Sequence, residues 1–276
     1  MLFYMPRRMN NRTLTESCLT SSGVIYVTHI FITNDDGVKA PGLLALVQAM
    51  RSLGTVQVVA PAVNQSAVGH KKTLFQDIPM TETQLADGTP AFAVGGSPAD
   101  CIALSALGAT RWPPSIVVAG INRGANMGQD ITYSGTVTAA FEGTIHAVPA
   151  VAISLDNPEA SQPEDYRVAA QVAMRVVARV LEKGLPPLTI LNLNVPRGEH
   201  VKGLRLTRQG IRIYRDELEK SGNVYRIVGP APGGVTDEEG TDLWAVYNGY
   251  ASLSPIHLDM TAHHFIADLA AWDITL

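Results

Sequence analysis

Two cysteines in 276 residues, Cys18 and Cys101, are too few and too far apart for a disulfide framework or a thiolate metal site. A reducing, cytoplasmic setting follows as the expectation. Charge is scarce as well: 17% of residues are charged, and 21 Lys and Arg against 25 Asp and Glu leave a net charge of -4. That balance offers no basic footprint for a nucleic-acid duplex, although a small phosphorylated ligand held by backbone amides and a cation needs none. Apolar runs stay far below the roughly 20 residues of a membrane helix. The first 23 residues hold Arg7, Arg8, Arg12 and a Ser/Thr cluster without a continuous apolar stretch, so they make a poor secretory signal. They read as a disordered extension or the product of an upstream start, and residues 24–276 as a single domain.

What the chain does have is alternation. Short apolar runs end repeatedly in Gly, Asn, Asp or Ser and are followed by helical spacing, the pattern of a Rossmann-like, three-layer α/β/α fold with a mostly parallel sheet. Residues 24–32 lead into Asn34, Asp35, Asp36 and Gly37, and a helix starts near Pro41. VQVVA (56–60) is a second strand, and a right-handed crossover joins the two. Residues 74–93, broken by Pro79, Asp87, Gly88 and Pro90, predict short antiparallel strands. Ser97 with Pro98 marks a helix start. SIVVA (115–119) empties into a Gly- and Asn-rich segment, then a helix over 137–146, a strand over 150–155, a long amphipathic helix over 166–183 and a strand over 188–195 that closes the sheet.

Beyond residue 200 the character changes. Residues 201–256 carry alternating, aromatic and β-branched segments separated by turns, which predict β-hairpin arms that pair with another copy. The acidic stretch 237–242 reads as a solvated turn, and residues 261–272 as a short terminal helix.

Chemistry concentrates where strands end, because ligands of open α/β sheets bind outside the carboxyl ends. Asp35 and Asp36 repel one another there unless a cation relieves them. A polar turn with an Asx cap is the equally weighted alternative. Ser66, in NQSAVG after the second strand, reaches the same edge as a neutral oxygen. His70, Lys71 and Lys72 bring positive charge close by, although a solvated loop explains each of them better. Gly120, Gly124 and Gly128 alternate with Asn122 and Asn126, and Ser134, Gly135 and Thr136 open a helix whose N-terminus suits an anion. Glu142 and His146, four residues apart on that helix, are spaced to pair.

Together, TNDDGVKAPG (33–42), NQSAVG (64–69), GSPADC (96–101), the segment 120–143 and GTDLWAVYNGYASLSP (240–255) resemble the SurE family of survival-protein nucleotidases. The resemblance runs from about residue 29 to the end. It implies a metal-dependent phosphatase acting on nucleoside 5'- and 3'-monophosphates, and also on short polyphosphate, assembled as a homodimer or homotetramer with C-terminal hairpins exchanged. It places the metal ligands on Asp35, Asp36, Ser66 and Asn122, with Asp35 and Asp36 catalytic. Asn34, Asn126, Ser134, Gly135 and Thr136 fall in the phosphate pocket. Ser97 replaces the family's usual Thr, and residues 67–72 are more basic than usual. An all-oxygen ligand set favours one Mg²⁺ or Mn²⁺ per subunit, with a water held by the metal or by Asp35 attacking phosphorus in line. Two alternatives stay open. One is a covalent phospho-aspartate at Asp35, disfavoured because Gly37 stands where a second Asp is usual; the other is a non-catalytic nucleotide-binding module.

Overall fold

The computed structural model describes residues 28–272 and residue 274. The expected N-terminal extension therefore lies outside the described residues.

Strand β1 (His29–Thr33) is buried along its whole length. It lies between β2 (Thr55–Pro61) and β5 (Ile116–Arg123), parallel to both. Helix α1 (Pro41–Met50) connects β1 to β2, the first of the expected crossovers. Beyond β2 lie β4 (Pro90–Val94), parallel, and β3 (Met80–Gln84), antiparallel at the edge. On the other side come β6 (Ala150–Asp156) and β7 (Thr189–Pro196), both parallel. Helices α2 (Pro98–Leu104), α3 (Gly135–Ile145) and α4 (Arg167–Lys183) complete the layers.

Pleat parity assigns the two faces. Ile30 and Ile32 of β1 point to the face covered by α1 and α4, whereas Phe31 points to the face covered by α2 and α3. This is the three-layer sandwich that the alternation predicts. From β1 the chain builds outward through β2 and β4, then returns to β1's other flank with β5. The order reverses between β1 and β5, so the loops after these two strands border the crevice where such sheets bind ligands.

Three expectations need correction. The strand at β7 does not close the sheet: β13 (Ala251–His257) pairs antiparallel with it, and β8 (Leu204–Leu206) pairs with β13. Within 201–256, then, β8 and β13 belong to the main sheet. Residues of the expected hairpin LWAVY form helix α5 (Asp242–Tyr247), because Thr241 caps its start by accepting from Trp244 N–H. Only β9 (Arg212–Ile213), β10 (Glu217–Ser221), β11 (Val224–Val228) and β12 (Gly233–Gly234) stand off as two small ladders. Thirdly, β5 continues through Arg123, which puts Asn122 on a strand end rather than in a loop. Helix α6 (His263–Ala270) follows as expected and has no buried residue.

Candidate metal and phosphate site

Asp35 leaves β1 buried, at 3% exposure, and turns towards the start of α3. Thr136 donates to it twice: backbone N–H to Oδ2 at 3.2 Å and Oγ1 to Oδ1 at 2.5 Å. Gly135 makes that approach possible, since a Cβ there would lie 2.8 Å from Asp35 Cβ and 2.9 Å from Oδ2, inside any real contact. Gly42 plays a matching part at α1, where a Cβ would run into the Ile121 carbonyl oxygen. Gly135→Ala is expected to keep the fold but cut activity by about 10²-fold, the usual result of misplacing a reacting group by an ångström. Circular dichroism beside a rate measurement checks it; unchanged activity would show that Asp35 tolerates displacement.

Asp36 accepts from the backbone N–H of Arg123 at 3.0 Å, which draws it to the end of β5 beside Asn122. Gln65 N–H donates to the Asp35 carbonyl oxygen at 2.7 Å and brings the Ser66 loop to the same place. Burial pushes Asp35 up to about 6, with the Asp36 charge adding to it and the Thr136 hydrogen bond opposing it. Burial also raises Asp36, against the N–H and charge of Arg123. Among the described residues no ion pair within 4.0 Å reaches either carboxylate. Two adjoining carboxyls held against ionisation by burial, and in no close ion pair, fit a cation.

The other predicted residues divide into two sets. Asn122 commits its amide N–H to the Gly124 carbonyl at 2.8 Å, which leaves its oxygen for a ligand. Ser66 donates to Asn64 Oδ1 at 2.6 Å within its own loop and is exposed. Ser134 caps α3 by accepting from Val137 N–H, so its own hydroxyl proton remains for an anion. By contrast, Asn34 spends both ends of its amide on Gly37, the Asx-type brace that the sequence offered as the plain reading. Asn126 is also tied down: its N–H donates to Asn194 Oδ1, its Nδ2 to Ser154 Oγ, and its carbonyl accepts from Asn192 and Asn194. These two asparagines brace the loops, each through one of its two Nδ2 hydrogens.

Sequence reasoning passed over Asn192 and Asn194, although two amides at alternate positions of a buried strand, LNLNV, are a readable signal of a polar network on one face. It also passed over the Arg123 backbone, which no side-chain pattern reveals. A cavity of about 320 Å³ opens beside Asp36, lined by Lys39, Asn64, Arg123 and Tyr166 among others. Larger hollows lie away from the two carboxylates: a largely apolar groove of about 460 Å³ between α4 and the β13–β8 edge, and one of about 1070 Å³ at the β2–β4 edge.

Fold and site together define a Rossmann-like α/β protein with two adjacent carboxylates and a helix N-terminus at its switch point. The family model described as Survival protein SurE matches residues 30–216. The chain belongs to the SurE family. It is 44% identical over 251 residues to the 5'-nucleotidase SurE of Chloroflexus aggregans, covering 89% of this chain and 99% of that one. The 5'-nucleotidase SurE 1 of Thermus thermophilus is 44% identical over 247 residues, covering 87% and 96%. The crystal structure of the SurE protein from Aquifex aeolicus superposes with a TM-score of 0.74 at 39% identity, covering 88% of this chain and 98% of that one.

Proposed function

We propose that this chain is a metal-dependent phosphatase that hydrolyses nucleoside 5'- and 3'-monophosphates, with short-chain polyphosphate as a further substrate. One observation carries the reading: Asp35, buried and held by Thr136 at the N-terminus of α3, adjoins a second, half-buried carboxylate, Asp36, drawn to the end of β5 at the sheet's switch point. Relatives that bear the name 5'-nucleotidase and match nearly end to end support it.

Asp35, Asp36, Ser66 Oγ and Asn122 Oδ1 would hold one Mg²⁺ or Mn²⁺ per subunit, since hard oxygen donors suit these ions. Bound there, the ion supplies charge to a phosphate oxygen and acidifies a nearby water. Asp35 orients the attacking water and takes its proton, held in place by Thr136. The Ser134 hydroxyl and the Gly135 N–H receive phosphate oxygens at the start of α3, where the helix N-terminus favours an anion, while the Thr136 and Val137 N–H groups are given to Asp35 and Ser134. Lys39 and Arg123 line the cavity into which an anionic ester extends.

We also propose a homodimer or homotetramer, because apolar side chains lie exposed on the arm at Leu218, Tyr225 and Ile227 and on α6 at Phe265, Ile266 and Leu269. A cytoplasmic setting accords with Cys101, which is buried and unpaired. No described helix is long and apolar enough to cross a membrane.

The test is phosphate release from a panel of nucleoside 5'- and 3'-monophosphates with Mn²⁺, Mg²⁺ or EDTA. Release that needs a cation and stops with EDTA is the expected result. Saturable nucleotide binding without release under any metal would replace the enzyme by a binding module.

A further inference from the structure

Glu142 is a buried carboxylate far along α3, and three basic groups converge on it. His70 Nε2 lies 3.0 Å from Oε2, Lys72 Nζ donates to Oε1 at 2.9 Å, and His146 Nε2 lies 3.2 Å from Oε1. Only His146, which caps the C-terminus of α3, comes from the same segment. The other two come from the loop between β2 and β3, seventy or more positions away, the loop that carries Ser66. Lys72 thus spends its charge, and His70 its Nε2, on Glu142 instead of standing free for a phosphate.

The contacts between this loop and α3 form a row. Gly69 N–H donates to the Tyr133 carbonyl at 3.0 Å, Thr138 Oγ1 lies 3.0 Å from the Gly69 carbonyl and shares its proton between it and the Ser134 carbonyl at 2.8 Å, and Glu142 grips His70 and Lys72. Ser134, Thr138 and Glu142 stand four apart on one stripe of the helix. Lower down, Ser97 Oγ donates to the Lys71 carbonyl, and Thr73 donates to Asp100 from its backbone and its hydroxyl. Little inside the loop would hold it otherwise. It is largely exposed, and Ala67, directly after Ser66, is held at φ 57° in the left-handed region, a conformation that a residue with a Cβ keeps only under outside constraint.

We propose that Glu142 is a positioning residue for the reaction: it fastens the loop to α3 and thereby sets Ser66 where it meets the cation. The same helix that orients Asp35 through Thr136 then orients Ser66 through Glu142, so one rigid rod places donors from two strand ends. The proposal rests on Ser66 being a cation ligand, as proposed above. It adds a group that touches neither substrate nor metal. Burial pushes the Glu142 carboxyl up, but hydrogen bonds from His146, His70 and Lys72 outweigh it and hold the group ionised well below the usual carboxylate range.

Hydrogen exchange on the metal-free protein, read by peptide mass, tests the tether without any turnover. In Glu142→Ala the peptides over 62–76 are expected to exchange faster while those of β1 and α1 keep their protection. In the loaded enzyme the half-activating Mn²⁺ concentration should rise about tenfold, in the range typical of lost outer-shell support, with kcat at saturating Mn²⁺ close to wild type. Glu142→Gln, which keeps one acceptor and gains a donor that the His70 tautomer can meet, should recover part of both. His70→Ala removes one tether and leaves the buried carboxylate paired, so it serves if Glu142→Ala fails to fold. Unchanged exchange over 62–76 and an unchanged Mn²⁺ requirement in the folded variants would overturn the tether alone. Faster exchange across the whole chain with the Mn²⁺ requirement unmoved would also overturn it, reducing Glu142 to a stability residue. A wild-type enzyme indifferent to EDTA would instead overturn the site reading on which Ser66 depends.

Discussion

Asp35→Asn is expected to lower phosphate release from a nucleoside monophosphate by roughly 10²–10⁴-fold, the range for losing a positioned general base, while making the metal-free protein more stable at neutral pH. The two halves share one cause. Asp35 is buried beside Asp36 with no cation of its own, and burial carries its pKa from an ordinary 3.8 to about 6. Asparagine keeps the acceptor that Thr136 Oγ1 uses at 2.5 Å and gives up only the longer bond from the Thr136 N–H at 3.2 Å, so much of the local geometry has a reason to survive. It offers neither a charge for a cation nor a base for a water.

The pH dependence has a definite sign. A carboxyl whose pKa is raised on folding binds its proton more tightly in the native state, so its contribution is fully present below the unfolded pKa and is lost as pH rises through the native one. The metal-free wild type should therefore lose stability between about pH 4 and pH 6, by about 3 kcal/mol from Asp35. Asp35→Asn should lack that component, and Mn²⁺ should restore wild-type stability above pH 6 by binding only the folded state. Urea unfolding of both proteins at pH 4.5 and 7.5, with and without Mn²⁺, checks this. Equal pH slopes in the two metal-free proteins would mean that Asp35 is solvated and ordinary. Retained phosphate release in Asp35→Asn would remove it from the chemistry.

Much of the site was legible because its signals are local. Asp35 and Asp36 follow an apolar strand directly, and Ser134 announces a helix start, so strand-end logic places both at one edge of the sheet without knowledge of the fold. Long-range partners left no such trace. Asn126 sits in a Gly/Asn-rich loop that reads as an anion cradle, yet its amide is occupied by Ser154 and its backbone by Asn192 and Asn194, from strands 28 to 68 positions away. His70 and Lys72 read as solvated charge because their partner Glu142 is brought to them only by the packing of α3. The C-terminal third misled for a different reason. ASLSPIH alternates like a hairpin strand at the surface, and only its pairing with β7 shows that Ala251 and Leu253 face the core.

Asp242 is the residue whose role the sequence concealed most, and its replacement by Ala carries the largest expected loss of stability. In the acidic run 237–242 it looks like one more solvated charge. Instead it is fully buried and accepts three backbone N–H groups, each at 2.8 Å: from Gly128, Gly210 and Leu243. Those three donors belong to the loop before α3, to the approach to the arm, and to the first turn of α5. One carboxylate thus joins the segment preceding the phosphate-binding helix end to the C-terminal elements. Alanine would strand three buried donors at about 1–3 kcal/mol each, so a loss on the order of 3–5 kcal/mol is expected after relaxation and water entry. Asn can satisfy fewer of the three and should fall between. Gly128 opens the turn that delivers Ser134, so the surviving folded fraction of Asp242→Ala should also bind phosphate less tightly. Equilibrium unfolding of wild type, Asp242→Asn and Asp242→Ala reads the first effect, and phosphate inhibition of turnover reads the second. A loss below about 1 kcal/mol, the size of an ordinary surface change, would mean that water replaces the carboxylate without cost and that this junction does not hold the site together.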